Sequence, residues 1–218
     1  IFTWSLYDFA NQPYPTIIIT FIYSNFFTKT LAADYPNGDV MWLFAISICA
    51  IIIAILSPFM GAIADRSGYR KTYLIFCTWI CVFSTLFLYF PMPGQIFFAL
   101  ILVIISNAAF EMGQVFCNSY LPDIAPKEKI GRISGYGWSL GYFGGLAALA
   151  VCYIVFYASP TPTNPITGNL LNTETFEHIR AMPIFIAIWF AIFSVPTFIY
   201  LKDRKVDKTK KASIKKSY

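Results

Sequence analysis

The sequence predicts an all-α membrane protein of six transmembrane helices, and three observations predict it. The apolar residues gather into six blocks, each about 20 residues long, which is the length a helix needs to cross a hydrocarbon core about 30 Å thick. Charged residues make up 12% of the 218, against 57% hydrophobic; a soluble domain carries about 25% charged residues and needs them for its polar shell. The Lys and Arg also fall almost wholly in alternate connections, as they do when one side of a membrane retains positive charge.

The blocks run over about 4–27, 41–60, 72–90, 96–118, 134–157 and 181–201. The first contains a single charge, Asp8, the fourth contains Glu111, and the other four contain none. Turn chemistry separates them: "YPNGD" at 35–39, "PMPG" at 91–94, "LPDIAPKEK" at 121–129 and "SPTPTNPITGN" at 159–169. The blocks are too long and too evenly apolar for the alternating ten-residue strands of a membrane β-barrel. The chain opens at Ile1, already apolar, with no basic segment before the first block and no small-residue cleavage site after it. A signal peptide is therefore not expected, and the opening reads as a start within a longer chain. The stretch 202–218 is polar and basic, and reads as a solvated cytoplasmic linker toward a missing second half that also touches anionic headgroups.

Orientation follows from the basic residues. One set of alternate connections holds Arg66, Arg70 and Lys71, then Lys127, Lys129 and Arg132, then eight in the tail, fourteen in all. The opposite set holds only Lys29 and Arg180. The positive-inside rule puts the fourteen in the cytoplasm, and with them both ends of the chain.

Polar residues inside apolar blocks are the candidate functional groups. A carboxylate in a membrane helix costs about 2.5–3.5 kcal/mol on insertion scales and faces a cavity or a partner. On the fourth block Asn107, Glu111, Gln114 and Asn118 fall within about 60° of arc at helical periodicity. On the first, Asp8, Asn11 and Gln12 fall within about 100°, and Pro13 and Pro15 follow, freeing backbone carbonyls. Asp8 and Glu111 both lie toward the cytoplasmic side of their helices, about 10 Å and 6 Å from the midpoints, so the two face each other at similar depth. Glu111, desolvated, is the expected group to exchange a proton during transport. The fifth block carries Gly137, Gly141, Gly144 and Gly145 on one face, a doubled G-x-x-x-G that lets two backbones pack closely in lipid. Gly137 to Gly141 also spells G-x-S-x-G, but the hydrolase motif needs a strand-turn-helix setting and a histidine, and the single histidine, His178, lies in an outer connection. The five cysteines all sit within apolar blocks and read as small packing residues. Neither a metal nor another cofactor is expected.

Between the second and third blocks stands G-x-x-x-D-R-x-G-x-R-K: Gly61, Asp65, Arg66, Gly68, Arg70 and Lys71. The two glycines suit a tight turn. This resembles the signature loop of the major facilitator superfamily, with Tyr69 at the place where the first of the basic pair usually stands. "WSLYDFANQPY" (4–14) and "NSYLPDIAPKEKIGRISGYGWSLGYFGG" (118–145) resemble, within that superfamily, the vacuole-effluxer-like family, related to autophagy-related vacuolar amino-acid exporters. The resemblance implies the N-terminal half of a twelve-helix fold, built as two inverted three-helix repeats, in which the first and fourth helices are counterparts lining a central cavity. It implies a cytoplasmic gate at Asp65 and Arg66, which Gly61, Gly68, Arg70, Asp123 and Arg132 would complete. It also implies a secondary transporter of a small solute, amino acids or related metabolites, in a bacterial inner membrane or, in a eukaryotic source, a vacuolar one. Its partners would be membrane lipids, the solute, protons and the second half of the protein, with no nucleic acid. Two other classes are consistent with an apolar chain, a membrane-embedded enzyme using Asp8 and Glu111 as acid and base and a non-transporting scaffold. The first would need a nucleophile, a metal cluster or a nucleotide loop, none of which the sequence offers; the second would not need buried carboxylates.

Overall fold

The computed structural model describes residues 1–159, 161–163 and 168–203, with residues 63–67 described by their backbone alone. Among the described residues six helical rods make up the bundle. The first, α1, is Phe2–Asn11, prolonged by π-helical turns at Tyr14–Phe21 and Phe27–Leu31 and a short turn, Tyr23–Phe26, between them. It is followed by α2 (Gly38–Ser67), α3 (Arg70–Phe87), α4 (Ile96–Asn118), α5 (Ile130–Cys152, continued by π-helical Tyr153–Tyr157) and α6 (Met182–Tyr200). Short helices, Leu121–Ile124 and Glu177–Arg180, precede α5 and α6. The stretches Gly38–Ala62, Ile96–Ile124, Lys127–Tyr157 and Glu177–Tyr200 are long and apolar enough to cross a membrane. Among the described residues the one β-type pairing is an isolated bridge between Thr163 and Leu170.

The irregularity of α1 has a local cause. Pro13 and Pro15 bring no N–H, so the carbonyls of Phe9 and Asn11 lose the donors a regular helix would give them. Beyond the prolines the chain takes wider turns, with Ile22 N–H on Ile17 O at 3.0 Å and Ala32 N–H on Phe27 O at 2.8 Å, the five-residue bonding of a π-helix. The stranded Phe9 carbonyl is taken up from outside, by Trp189 Nε1–H of α6 at 3.3 Å.

α1 runs through the bundle against α5 and α6, α3 packs on α4 and α6, and α2 lies along α4. Three large amphipathic side chains of α1 are fully buried: Trp4, Tyr7 and Tyr14. Where no water reaches, each polar atom must find a protein partner. Trp4 Nε1–H donates to Cys117 O at 2.9 Å, Tyr7 OH pairs with Thr78 Oγ1 at 2.8 Å, and Tyr14 OH pairs with Ser106 Oγ at 2.7 Å. These bonds tie α1 to α3 and α4 at three heights.

The glycine face of α5 meets α1. A Cβ added to Gly137 would fall 2.6 Å from the Asp8 carboxylate, one on Gly141 2.7 Å from Gln12 Cγ, and one on Gly145 2.8 Å from Thr16 Oγ1. One on Gly144 would run into the Phe9 backbone, 3.0 Å from its Cα. The close approach read from the sequence thus has α1 as its partner.

The connection between α2 and α3 differs from expectation. The helix continues through Gly61 to Ser67, and the turn is confined to Gly68, at φ 71°. That left-handed conformation favours glycine. Gly61 is not a turn residue: it is helical, and a Cβ there would meet nothing within 4 Å. Apolar composition falls away before the helical geometry does.

Candidate functional site

A pocket of about 350 Å³ opens between α1, α4 and α5. Asp8, Gln12 and Pro15 line it from α1, Phe110, Glu111, Gln114 and Asn118 from α4, and Trp138 from α5. The spacing explains the grouping. Positions 8, 12 and 15, and 111, 114 and 118, are each three or four apart and so share one helical face. The glycine seam brings α5 close enough for Trp138 to close the third side.

Of the residues expected on a pathway, Asp8, Gln12, Glu111 and Gln114 line this pocket together. Asn11 is fully buried and stands behind it, accepting a bond on Oδ1 from Gln114 Nε2 at 3.5 Å. Gln114 thus ties the α4 wall of the pocket to α1. Two atoms of this cluster, Asn11 Nδ2 and Gln114 Oε1, are buried with no hydrogen-bond partner. Asn107 departs from the group. It is buried and lies outside the pocket lining, near the Cys49 thiol of α2, which itself bonds Ile104 O at 3.2 Å. Phe110 and Trp138 are the lining residues that sequence reasoning missed; the glycines flanking Trp138 pointed to packing, and nothing in one helix says which face its neighbours leave open.

A second polar cluster gathers where α3 begins and α4 and α6 end. Arg70 is buried. Its Nη1–H donates to Ser119 O at 2.7 Å, its Nη2 meets Asp123 Oδ2 at 2.5 Å, and its guanidinium lies over the Tyr120 ring at 4.8 Å. Asp203 accepts from the Lys71 backbone N–H at 3.1 Å and from Tyr120 OH. A carboxylate at the first turn of α3 suits the positive end of the helix dipole. Arg132, expected in this network, is exposed and turns along its own helix instead. Its Nε–H donates to Tyr136 OH at 2.7 Å and its guanidinium lies 5.5 Å from that ring. A residue four positions along one helix is in constant reach, which a partner across a connection is not. The side chains of Asp65 and Arg66 lie outside the described residues. The other members of this cluster, Ser119, Tyr120 and Asp203, carried no sequence signal because they come from the ends of two other helices.

The opposite rim has its own clamp. Arg180, just before α6, is buried; its Nε–H donates to Tyr89 O at 2.8 Å and its guanidinium lies over the Tyr89 ring at 4.8 Å. Tyr89 OH in turn donates to Glu177 Oε1 at 2.9 Å. Among the described residues no three His, Cys, Asp or Glu side chains converge to hold a metal ion.

Comparison with known proteins gives a consistent picture. The profile of the family described as "Vacuole effluxer Atg22 like" matches residues 35–217. The uncharacterized MFS-type transporter YxiO of Bacillus subtilis is 25% identical over 205 residues, which cover 93% of this chain and 46% of that protein. Autophagy-related protein 22 of Yarrowia lipolytica is 25% identical over 252 residues, covering 89% of this chain and 39% of its own length. The chain therefore spans about half the length of these relatives, or less. Among solved structures, the inward open conformation of the xylose transporter XylE from E. coli superposes with a TM-score of 0.66 over 92% of this chain and 47% of that one, at 15% identity.

Proposed function

This chain belongs to the vacuole effluxer Atg22-like family, and on that premise we propose that the whole protein is a secondary transporter moving a small solute across a membrane by alternating access, coupled to protons. One observation carries the proposal: two carboxylates from separate helices, Asp8 and Glu111, line a single pocket. Carboxylates are rare in membrane helices because of their desolvation cost, and where they occur they mark solute or proton pathways. Paired polar-interrupted helices are also the arrangement expected of a transport site. Six rods make half of a facilitator fold, so a second half, not contained in this chain, would close the pocket from the other side.

Glu111 is the proposed proton-exchanging group and Asp8 its companion on α1. The cluster of Arg70, Asp123, Tyr120 and Asp203 is the proposed cytoplasmic gate, with Asp65 and Arg66 adjoining it. The basic residues on that side favour both ends of the chain lying in the cytoplasm of a bacterial cell.

The test uses the full-length protein in vesicles, a panel of labelled solutes, and an imposed pH gradient. Gradient-driven flux is expected for at least one solute and is expected to vanish in Glu111→Gln. Proton-driven flux that survives that substitution unchanged removes Glu111 from the coupling.

A further inference from the structure

We infer that the pocket between α1, α4 and α5 selects a solute carrying an organic cation, an ammonium or guanidinium group. The inference rests on the transport reading and adds the charge of the cargo to it.

The lining is lopsided in charge. Asp8 and Glu111 both reach it, and among the described residues no Lys, Arg or His lines it. Two carboxylates withdrawn from water need a countercharge or a proton, and the walls supply no countercharge. A cationic solute would. The remaining lining suits the same guest. Trp138 is 55% exposed and stands at the pocket, offering an indole face of the kind that attracts ammonium and guanidinium groups. Gln114 and Gln12 add neutral amides to the lining, with no cation of their own. Pro15 and Phe110 complete an apolar side for a short carbon chain. The volume, about 350 Å³, falls at the small end of the range for small-molecule sites. An anionic solute would be repelled by both acids. A neutral polyol would bond the amides yet leave the two carboxylates uncompensated.

The decisive experiment is counterflow with the full-length protein in vesicles, using labelled lysine, putrescine, leucine and glutamate as probes. Lysine or putrescine is expected to exchange at least about tenfold faster than leucine or glutamate, the discrimination one charge-assisted bond supplies. That exchange should fall at least about tenfold in Asp8→Asn and in Glu111→Gln, while Glu111→Asp, which keeps the charge, stays within about threefold. Thermal stability of each variant, measured alongside, separates loss of charge from loss of fold, and if Asp8→Asn unfolds, the Glu111 pair decides. Leucine or glutamate exchanging as fast as the cations overturns the charge selection and leaves the transport reading standing. Cation exchange indifferent to both substitutions overturns it as well. So does the absence of any cation exchange, in which case gradient-driven flux over the wider panel judges the transport reading separately.

Discussion

Replacing Gly144 by alanine puts one methyl group into the tightest contact of the bundle. The added carbon would meet the O, C and Cα of Phe9, all of them backbone atoms. A side chain could swing away; a helix backbone cannot, so α1 and α5 must part. Overpacking of this kind costs about 1–3 kcal/mol, and rigid neighbours put it in the upper half of that range. Alanine returns up to about 1 kcal/mol as the better helix former, which leaves a net loss of about 1–2 kcal/mol. Gly135 on the same helix supplies the control. A Cβ there would meet nothing within 4 Å, so Gly135→Ala keeps the propensity gain and should be neutral or stabilising by up to about 1 kcal/mol. The two substitutions, chemically identical and nine positions apart, should therefore differ by about 2–3 kcal/mol. Titration of the full-length protein with a denaturing detergent measures this, with a thiol-reactive dye as reporter, since all five cysteines of the chain are free and buried. Equal stability of Gly144→Ala and Gly135→Ala would refute the seam as described, and a more stable Gly144→Ala would reverse it.

Three further outcomes can be measured the same way. Trp189→Phe removes the donor to the Phe9 carbonyl and should cost about 1–3 kcal/mol beyond its packing loss; with Pro13→Ala restoring a backbone N–H to that carbonyl, the cost should shrink by at least half, a coupling read from the double-mutant cycle. Arg70→Lys keeps the charge but loses the fork that reaches Ser119 and Asp123 together, so it should destabilise by about 1–3 kcal/mol; no loss would mean the contacts hold nothing. On the other rim, Tyr89→Phe deletes one hydroxyl bond to Glu177 and should cost about 0.5–1.5 kcal/mol, whereas Arg180→Met strips the ring cation and the donor to Tyr89 O and should cost more; the reverse order would contradict the geometry.

The rods, the order of their apolar blocks and the polar faces that carry Asp8 and Glu111 were legible because each depends on periodicity within one helix. What was not legible depends on crossing. Asn107 lies on the same angular stripe of α4 as Glu111, but at its height the neighbour is α2 and its Cys49, so one stripe serves two different surroundings. Arg70 finds Asp123 rather than Arg132 doing so, because the choice is made by where helix ends meet. Asp203 reaches Lys71 across 132 positions of sequence and Tyr120 across 83, and no local pattern carries such a pairing. The π-helical turns of α1 belong between these cases. Pro13 and Pro15 announced a disturbance, yet whether the chain would kink or widen was decided by the partners waiting for its carbonyls, Trp189 first among them.

The two buried guanidiniums have a shared consequence. Arg70 opens α3 and Arg180 sits on Tyr89, two residues past its last turn. At 1.5 Å per residue α3 rises about 27 Å, close to the thickness of a bilayer interior. The bundle thus carries a ruler with a fixed cation at each mark. In a membrane thinner or thicker than that distance neither mark can slide inward without dragging charge into oil, so the lipids, rather than the protein, must bend to fit.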